Sequence, residues 1–131
     1  MQRFTDLRVW RECHTLTLAV YRCSAGFPQT ERYGLTSQLR RAAVSAGCNI
    51  AEGSKRRTAR EYARFLNIAE GSMAEAEYLM MVARDLSYVP EAQARTLMAA
   101  ARDAARMLHG LRRAVERARS TSNVRRSTVD G

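Results

Sequence analysis

The sequence is poor in residues that break helices, hold metals or cross membranes. Only two prolines and seven glycines occur in 131 residues. The glycines fall mostly where helices would end, so long helices are open to most of the chain. No run approaches the roughly 18 consecutive apolar residues of a membrane span, and the opening Met1-Gln2-Arg3-Phe4-Thr5-Asp6 has no apolar signal stretch. A cytoplasmic location without membrane association is therefore expected. The two histidines, His14 and His109, and the odd set Cys13, Cys23 and Cys48, with no C-x-x-C spacing, exclude the common zinc patterns. No metal and no cofactor is expected, and the three cysteines read as small reduced core residues. Lysine is nearly missing as well: Lys55 is the only one among 22 basic residues, in a chain of formal charge +9.

What is present favours helices. Val9, Cys13, Leu16, Val20, Cys23 and Phe27 recur at steps of four and three and predict a helix from about Asp6 to Ala25, ended by Phe27-Pro28. Trp10, Thr17, Tyr21 and Ser24 draw a neighbouring stripe, so this helix should touch something on two sides. A second helix is expected from Thr30 or slightly later to about Glu52, with Leu35, Leu39, Ala42, Ala46 and Asn49/Ile50 inward and Gly53-Ser54 as its stop. Thr58-Ala59-Arg60-Glu61 has the form of a capping box. It opens a third helix to about Leu86 with Tyr62, Leu66, Ala69, Met73, Ala76, Met80 and Ala83 buried. Pro90 suits the first position of a fourth helix, which runs to about Arg119 on Ala94, Leu97, Ala101, Ala104, Leu108, Leu111, Val115 and Ala118. The expectation is an all-α, antiparallel up-down-up-down four-helix bundle over residues 1–119, with residues 120–131 a disordered tail.

The charge is unevenly spread. The segment from Glu31 to Arg57 nets +4, that from Thr58 to Leu86 nets −2, and that from Glu91 to Arg119 nets +4. Arg95, Arg102, Arg106, Arg113 and Arg117, at steps of seven, four, seven and four, share one face of the fourth helix, away from its leucines. Lys55-Arg56-Arg57 with Arg60 and Arg64 forms a second cluster, and Arg40-Arg41 a third. A solvated face with pairs such as Glu91–Arg95 is the plainer reading of any one arginine. A whole row of like charges costs stability unless anions neutralise it, and guanidinium suits phosphate and carboxylate. Those anions could be a nucleic-acid backbone or acidic side chains of another subunit.

Asn49, Glu52, Glu70, Ser72 and Glu75 lie on or near inner faces and resemble catalytic carboxylate sites only superficially. Neither histidine has the glutamate three residues earlier that a di-iron bundle uses. No cysteine or serine has a histidine base by spacing. Asn49, Glu52, Glu70 and Ser72 read instead as structural hydrogen-bonding residues that fix helix register. No catalytic residue is assigned, and the chain is not read as an enzyme.

Several segments carry a family resemblance: Phe4-x-x-Leu7-x-Val9-Trp10, then Phe27-Pro28, then Glu31-x-Tyr33-Gly34-Leu35-Thr36-x-Gln38-Leu39-Arg40-Arg41-Ala42-Ala43-x-Ser45. Asn49-Ile50-Ala51-Glu52-Gly53, Arg57 and Ile68-Ala69-Glu70-Gly71-Ser72 complete it. The chain from about Phe4 to Leu111 resembles the four-helix bundle proteins encoded by intervening sequences of bacterial 23S ribosomal RNA genes. Ala46-Gly47-Cys48 stands where that family more often has an Ile-Pro pair. The resemblance implies a ring-like homopentamer without established activity. It also implies similarity to the accessory variability determinant of diversity-generating retroelements, a basic pentamer that contacts nucleic acid and a reverse transcriptase.

The function expected from residues and resemblance together is a pentameric scaffold that binds RNA or DNA. Arg95, Arg102, Arg106, Arg113 and Arg117 would supply phosphate contacts, with Lys55, Arg56 and Arg57 adding to them. The alternative is a protein-interaction module whose basic faces meet an acidic partner such as a reverse transcriptase or another polymerase.

Overall fold

The computed structural model describes residues 3–129, with the side chains of the last helix described as far as residue 118. Four α-helices carry it: α1 (Arg8–Ser24), α2 (Leu35–Gly53), α3 (Ala59–Asp85) and α4 (Glu91–Val129). Short 3-10 turns at Phe4–Asp6 and Gln29–Glu31 precede α1 and α2, and there is no strand among the described residues. α3 packs most extensively on α4 and then on α2, while α1 rests more lightly on α2 and α4. Chain order is thus also the order around an up-down-up-down bundle.

The four-three stripes become the core. All six stripe residues of α1 and the turn after it, Val9 through Phe27, are buried. Leu39, Ile50, Leu66, Met73, Met80 and Leu108 are almost wholly enclosed, each contributing about 1.5–3 kcal/mol by leaving water. Between them Ala42, Ala43, Ala46, Ala69, Ala83, Ala94 and Ala104 let the helices approach closely. On α4 the stripe is buried through Leu108, half-buried at Leu111 and Val115 and exposed at Ala118. The cause is length, since α1 has 17 residues and α4 has 39, so α4 outruns its cover.

Boundaries differ from the sequence reading in two places, at the start of α2 and the end of α4. The residues after Pro28 form a 3-10 turn, and α2 starts at Leu35, with the Gln38 amide donating to the Gly34 carbonyl at 3.0 Å. α2 then runs unbroken through Ala46-Gly47-Cys48. At the other end α4 continues past Arg119 to Val129. The side chains of the tail expected to be disordered, and its last two residues altogether, lie outside the described residues.

The third helix opens as its sequence indicates, with the Glu61 amide donating to Thr58 Oγ1 at 3.1 Å. It closes in a Schellman arrangement, Ser87 N–H to Arg84 O and Tyr88 N–H to Ala83 O, each 2.9 Å. Ser87 takes the left-handed position there, at φ 62°. No helix among the described residues is long and apolar enough to cross a membrane.

Candidate nucleic-acid interface

The α4 arginines are placed by their packing on α3, the one segment with net negative charge. Arg102 Nε meets Glu77 Oε2 on α3 at 3.0 Å. Arg95 Nη2 meets Glu91 Oε1 one turn back at 2.8 Å, and Arg106 Nη1 lies 3.6 Å from Asp103 Oδ1. Three members of the row therefore already have carboxylates of their own chain. Such exposed pairs contribute only ~0–1 kcal/mol each, and salt screens them. Arg113 is exposed with no ion pair among the described residues, and Arg117 is exposed.

The best-held arginine of α4 lies outside the row. Arg112 donates from Nε to Glu70 Oε2 at 3.2 Å and from Nη1 to Glu116 Oε1 at 3.1 Å. Its Nη2 also sits 3.0 Å from His109 Nδ1. Partial burial works against its charge, but its bonds to Glu116 and Glu70 outweigh that and raise its pKa. Sequence reading missed this clasp between α3 and α4. Half of the signal was visible, since Glu116 follows Arg112 by four, but the partnership with Glu70 needs the antiparallel register.

The corner between α2 and α3 is different in kind. Gly53 lies against Phe65, and a Cβ built on it would come within 2.7 Å of Phe65 Cβ and 3.1 Å of Tyr62 Cδ1. That close approach folds Ser54–Thr58 tightly, with Lys55 N–H to Glu52 O at 3.2 Å and Arg56 N–H to Gly53 O at 3.0 Å. Lys55, Arg57 and Arg60 are exposed, and none forms an ion pair among the described residues. The guanidinium carbons of Arg56 and Arg64 each lie 4.8 Å from the centroid of the Phe65 ring.

Topology adds charge to this end. Arg102–Glu77 and Arg112–Glu70 set the α3–α4 register, which puts Arg117 level with the second turn of α3 and Arg113 about one turn further along it. A Cβ on Gly47 would sit 3.5 Å from Trp10 Nε1, which puts the start of α1, with Arg8 and Arg11, opposite the last turns of α2. Arg8, Arg11, Lys55, Arg56, Arg57, Arg60 and Arg64 thus share one end of the bundle with the exposed Glu12, Glu52 and Glu61, while Arg22, Arg32, Arg84 and Arg95 lie toward the other.

Arg40 is committed elsewhere. Its Nε donates to Ser24 Oγ at 2.8 Å and its Nη2 to the Tyr21 carbonyl at 3.2 Å, and its guanidinium covers the Tyr21 ring at 4.6 Å. It caps the end of α1 from the neighbouring helix. Arg41 is exposed.

The inward polar residues separate into two places. Asn49 Nδ2 donates to the Ser45 carbonyl at 2.8 Å and to Ser45 Oγ at 3.1 Å. Ser72 Oγ lies 3.0 Å from both Ser45 Oγ and the Ile68 carbonyl, which ties α2 to α3. Glu70 faces α4 instead, and Glu52 is exposed rather than inward. No three His, Cys, Asp or Glu side chains converge as metal ligands among the described residues.

A cavity of about 360 Å³ opens between α1 and α2, lined by Phe4, Trp10, His14, Val44 and Cys48 among others. Trp10 stacks on His14 at 4.9 Å and meets Phe4 edge-on at 5.1 Å. Cys13 and Cys23 are buried as expected, whereas Cys48 is exposed at this cavity. The second stripe of α1 divides: Ser24 is buried, Thr17 Oγ1 reaches the Ala43 carbonyl of α2 at 3.1 Å, and Tyr21 is exposed beneath Arg40.

Residues 5–110 match the family model described as 23S rRNA-intervening sequence protein. Among solved structures, the chain is similar to a protein of unknown function from the S23 ribosomal protein family of Bacteroides thetaiotaomicron. The two share 18% identity at a TM-score of 0.71, over 79% of this chain and 96% of that one, a likeness of fold. No curated protein matches the chain.

Proposed function

The chain belongs to the 23S rRNA-intervening sequence protein family, and we propose that this member is a non-enzymatic, homo-oligomeric scaffold that binds RNA or DNA through the basic end of its bundle. The observation that carries the reading is the α2–α3 corner. Lys55, Arg57 and Arg60 are exposed there with no ion pair among the described residues. Unpaired cations crowded on one end raise the local potential and favour a polyanion. The row of α4 becomes secondary, because Arg95, Arg102 and Arg106 must first leave their carboxylates. Contacts to phosphate position a nucleic acid without reading its bases, so selectivity for sequence is weak.

The pentameric state is part of the proposal and rests on the family resemblance. A ring would repeat the basic end around an axis and turn modest contacts into avid ones. Light scattering of the purified protein checks this: the reading expects a mass of several protomers, and a monomer removes the multivalent argument.

Fluorescence polarisation with generic RNA and duplex DNA at two salt concentrations tests the binding. With about four phosphate contacts, affinity should fall about a hundredfold between 50 and 200 mM salt. No saturable binding near physiological salt would favour a second reading, an interaction module for an acidic protein partner such as a reverse transcriptase. That reading draws on the same exposed basic residues meeting the partner's carboxylates, with the cavity between α1 and α2 and the exposed Leu18 and Val44 offering apolar contact beside them.

A further inference from the structure

We propose that Arg56 and Arg64, both held against the ring of Phe65, form a preset two-guanidinium cradle for a single phosphate group, with Phe65 as its positioning residue. The inference rests on the reading of the basic end as a phosphate-binding surface and names the place within it where one phosphate is gripped.

The argument begins with the ring. Phe65 is 9% exposed and is wedged where α2 lacks a side chain at Gly53. Tyr62 stands over the same glycine, so the ring is fixed from the backbone outward. Each guanidinium carbon lies 4.8 Å from its centroid, within the range in which the ring quadrupole attracts a cation. The two charges can therefore be no further apart than about twice that distance, although they come from separate elements, the corner and the second turn of α3. Two like charges held so close repel each other, and an anion between or beside them relieves that repulsion.

The decisive comparison is with Arg40, which also covers a ring. Arg40 spends its N–H groups on Ser24 and on the Tyr21 carbonyl. Arg56 and Arg64 make no side-chain hydrogen bond and no ion pair among the described residues. A guanidinium lying over a ring keeps its edge donors available, and these match the forked geometry of a phosphate. Arg40 is thus a finished structural contact, while Arg56 and Arg64 are ordered and unspent. Ordering them before the ligand arrives removes part of the side-chain entropy that free arginines would lose on binding. Lys55, Arg57 and Arg60 carry equal charge but have no such support, so they add attraction without placing a group.

The test uses the full chain and two probes, a labelled 20-mer oligothymidylate and inorganic pyrophosphate. Replacing both arginines by lysine keeps the charge and discards the planar fork. The Arg56→Lys/Arg64→Lys protein should keep the salt slope of the unaltered protein yet bind the oligonucleotide about tenfold more weakly. Phe65→Leu should weaken binding about fivefold and cause no further loss once both arginines are lysine. If Phe65→Leu fails to fold, the lysine pair alone decides, since neither of its sites is in the core. In an NMR titration, pyrophosphate should shift the side-chain Nε–H signals of Arg56 and Arg64 before those of Arg57 and Arg60. Oligonucleotide binding that is equal in the lysine pair and the unaltered protein overturns the cradle and leaves the nucleic-acid reading standing. No oligonucleotide binding with the pyrophosphate shifts present defeats the nucleic-acid reading and keeps the cradle. No shift at either arginine overturns the cradle outright.

Discussion

Ser87 shows how much one backbone position can cost. It closes α3 at φ 62°, a conformation that a Cβ disfavours and that most helix ends give to glycine. Ser87→Gly should therefore stabilise the protein by about 0.5–1 kcal/mol, read as a rise of a few degrees in Tm. The cysteines make the same point about local geometry. Cys13 and Cys23 fall on the apolar stripe of α1, and their burial was legible from spacing. Cys48 lies two residues from both Ala46 and Ile50, about 200° around α2 from each, and so faces outward. Burial and the nearby Glu12 push the Cys13 thiol up to about 12. A thiol reagent at neutral pH should label Cys48 in the folded protein and leave Cys13 until denaturant is added; rapid labelling of Cys13 would contradict the packing. Tyr88 offers a pH test. It donates to Glu31 Oε2 at 3.0 Å, and that bond, then burial and the carboxylate charge, raises its pKa above the ordinary tyrosine value. Its contribution to stability is therefore present below about pH 10 and lost as pH climbs through the raised value. Tyr88→Phe should flatten the alkaline fall in stability seen by denaturation at pH 8 and above 10.

Among the helices, glycine marks two opposite situations that sequence alone reads alike. Gly53 looks like a stop signal, but it is the last residue of α2 and leaves room for Phe65 and Tyr62 on α3. Gly53→Ala should cost about 1–3 kcal/mol, lowering Tm and disturbing the corner. Gly110 lies in mid-α4 with nothing within 4 Å of a built Cβ. Gly110→Ala should gain up to about 1 kcal/mol by helix propensity. Periodicity revealed the four helices and most of their inward residues, because burial repeats with the helical turn, but it missed Ala63, Phe65, Leu79 and Met98, which are buried beside the four-three stripes. The start of α2 was less legible, since a 3-10 turn and an α-helix open with similar polar residues. The length of α4 past Arg119 had no apolar stripe to announce it.

At the scale of the bundle, what the sequence could not display is which charges meet. Segment totals of +4, −2 and +4 were visible, and they anticipate that α3 sits between two basic helices. They do not say that Arg102 meets Glu77, that Arg112 meets Glu70, or that Arg40 turns inward to cap α1. Those pairings follow from antiparallel register, and they move the available cations from the face of α4 to the α2–α3 end. Salt dependence separates the two placements most directly. Measured as the slope of log affinity against log salt for duplex DNA, Lys55→Ala/Arg57→Ala/Arg60→Ala should reduce the slope by about three contacts' worth, while Arg102→Ala/Arg106→Ala should leave it nearly unchanged. A slope that survives loss of the corner and collapses with Arg102 and Arg106 would contradict the account.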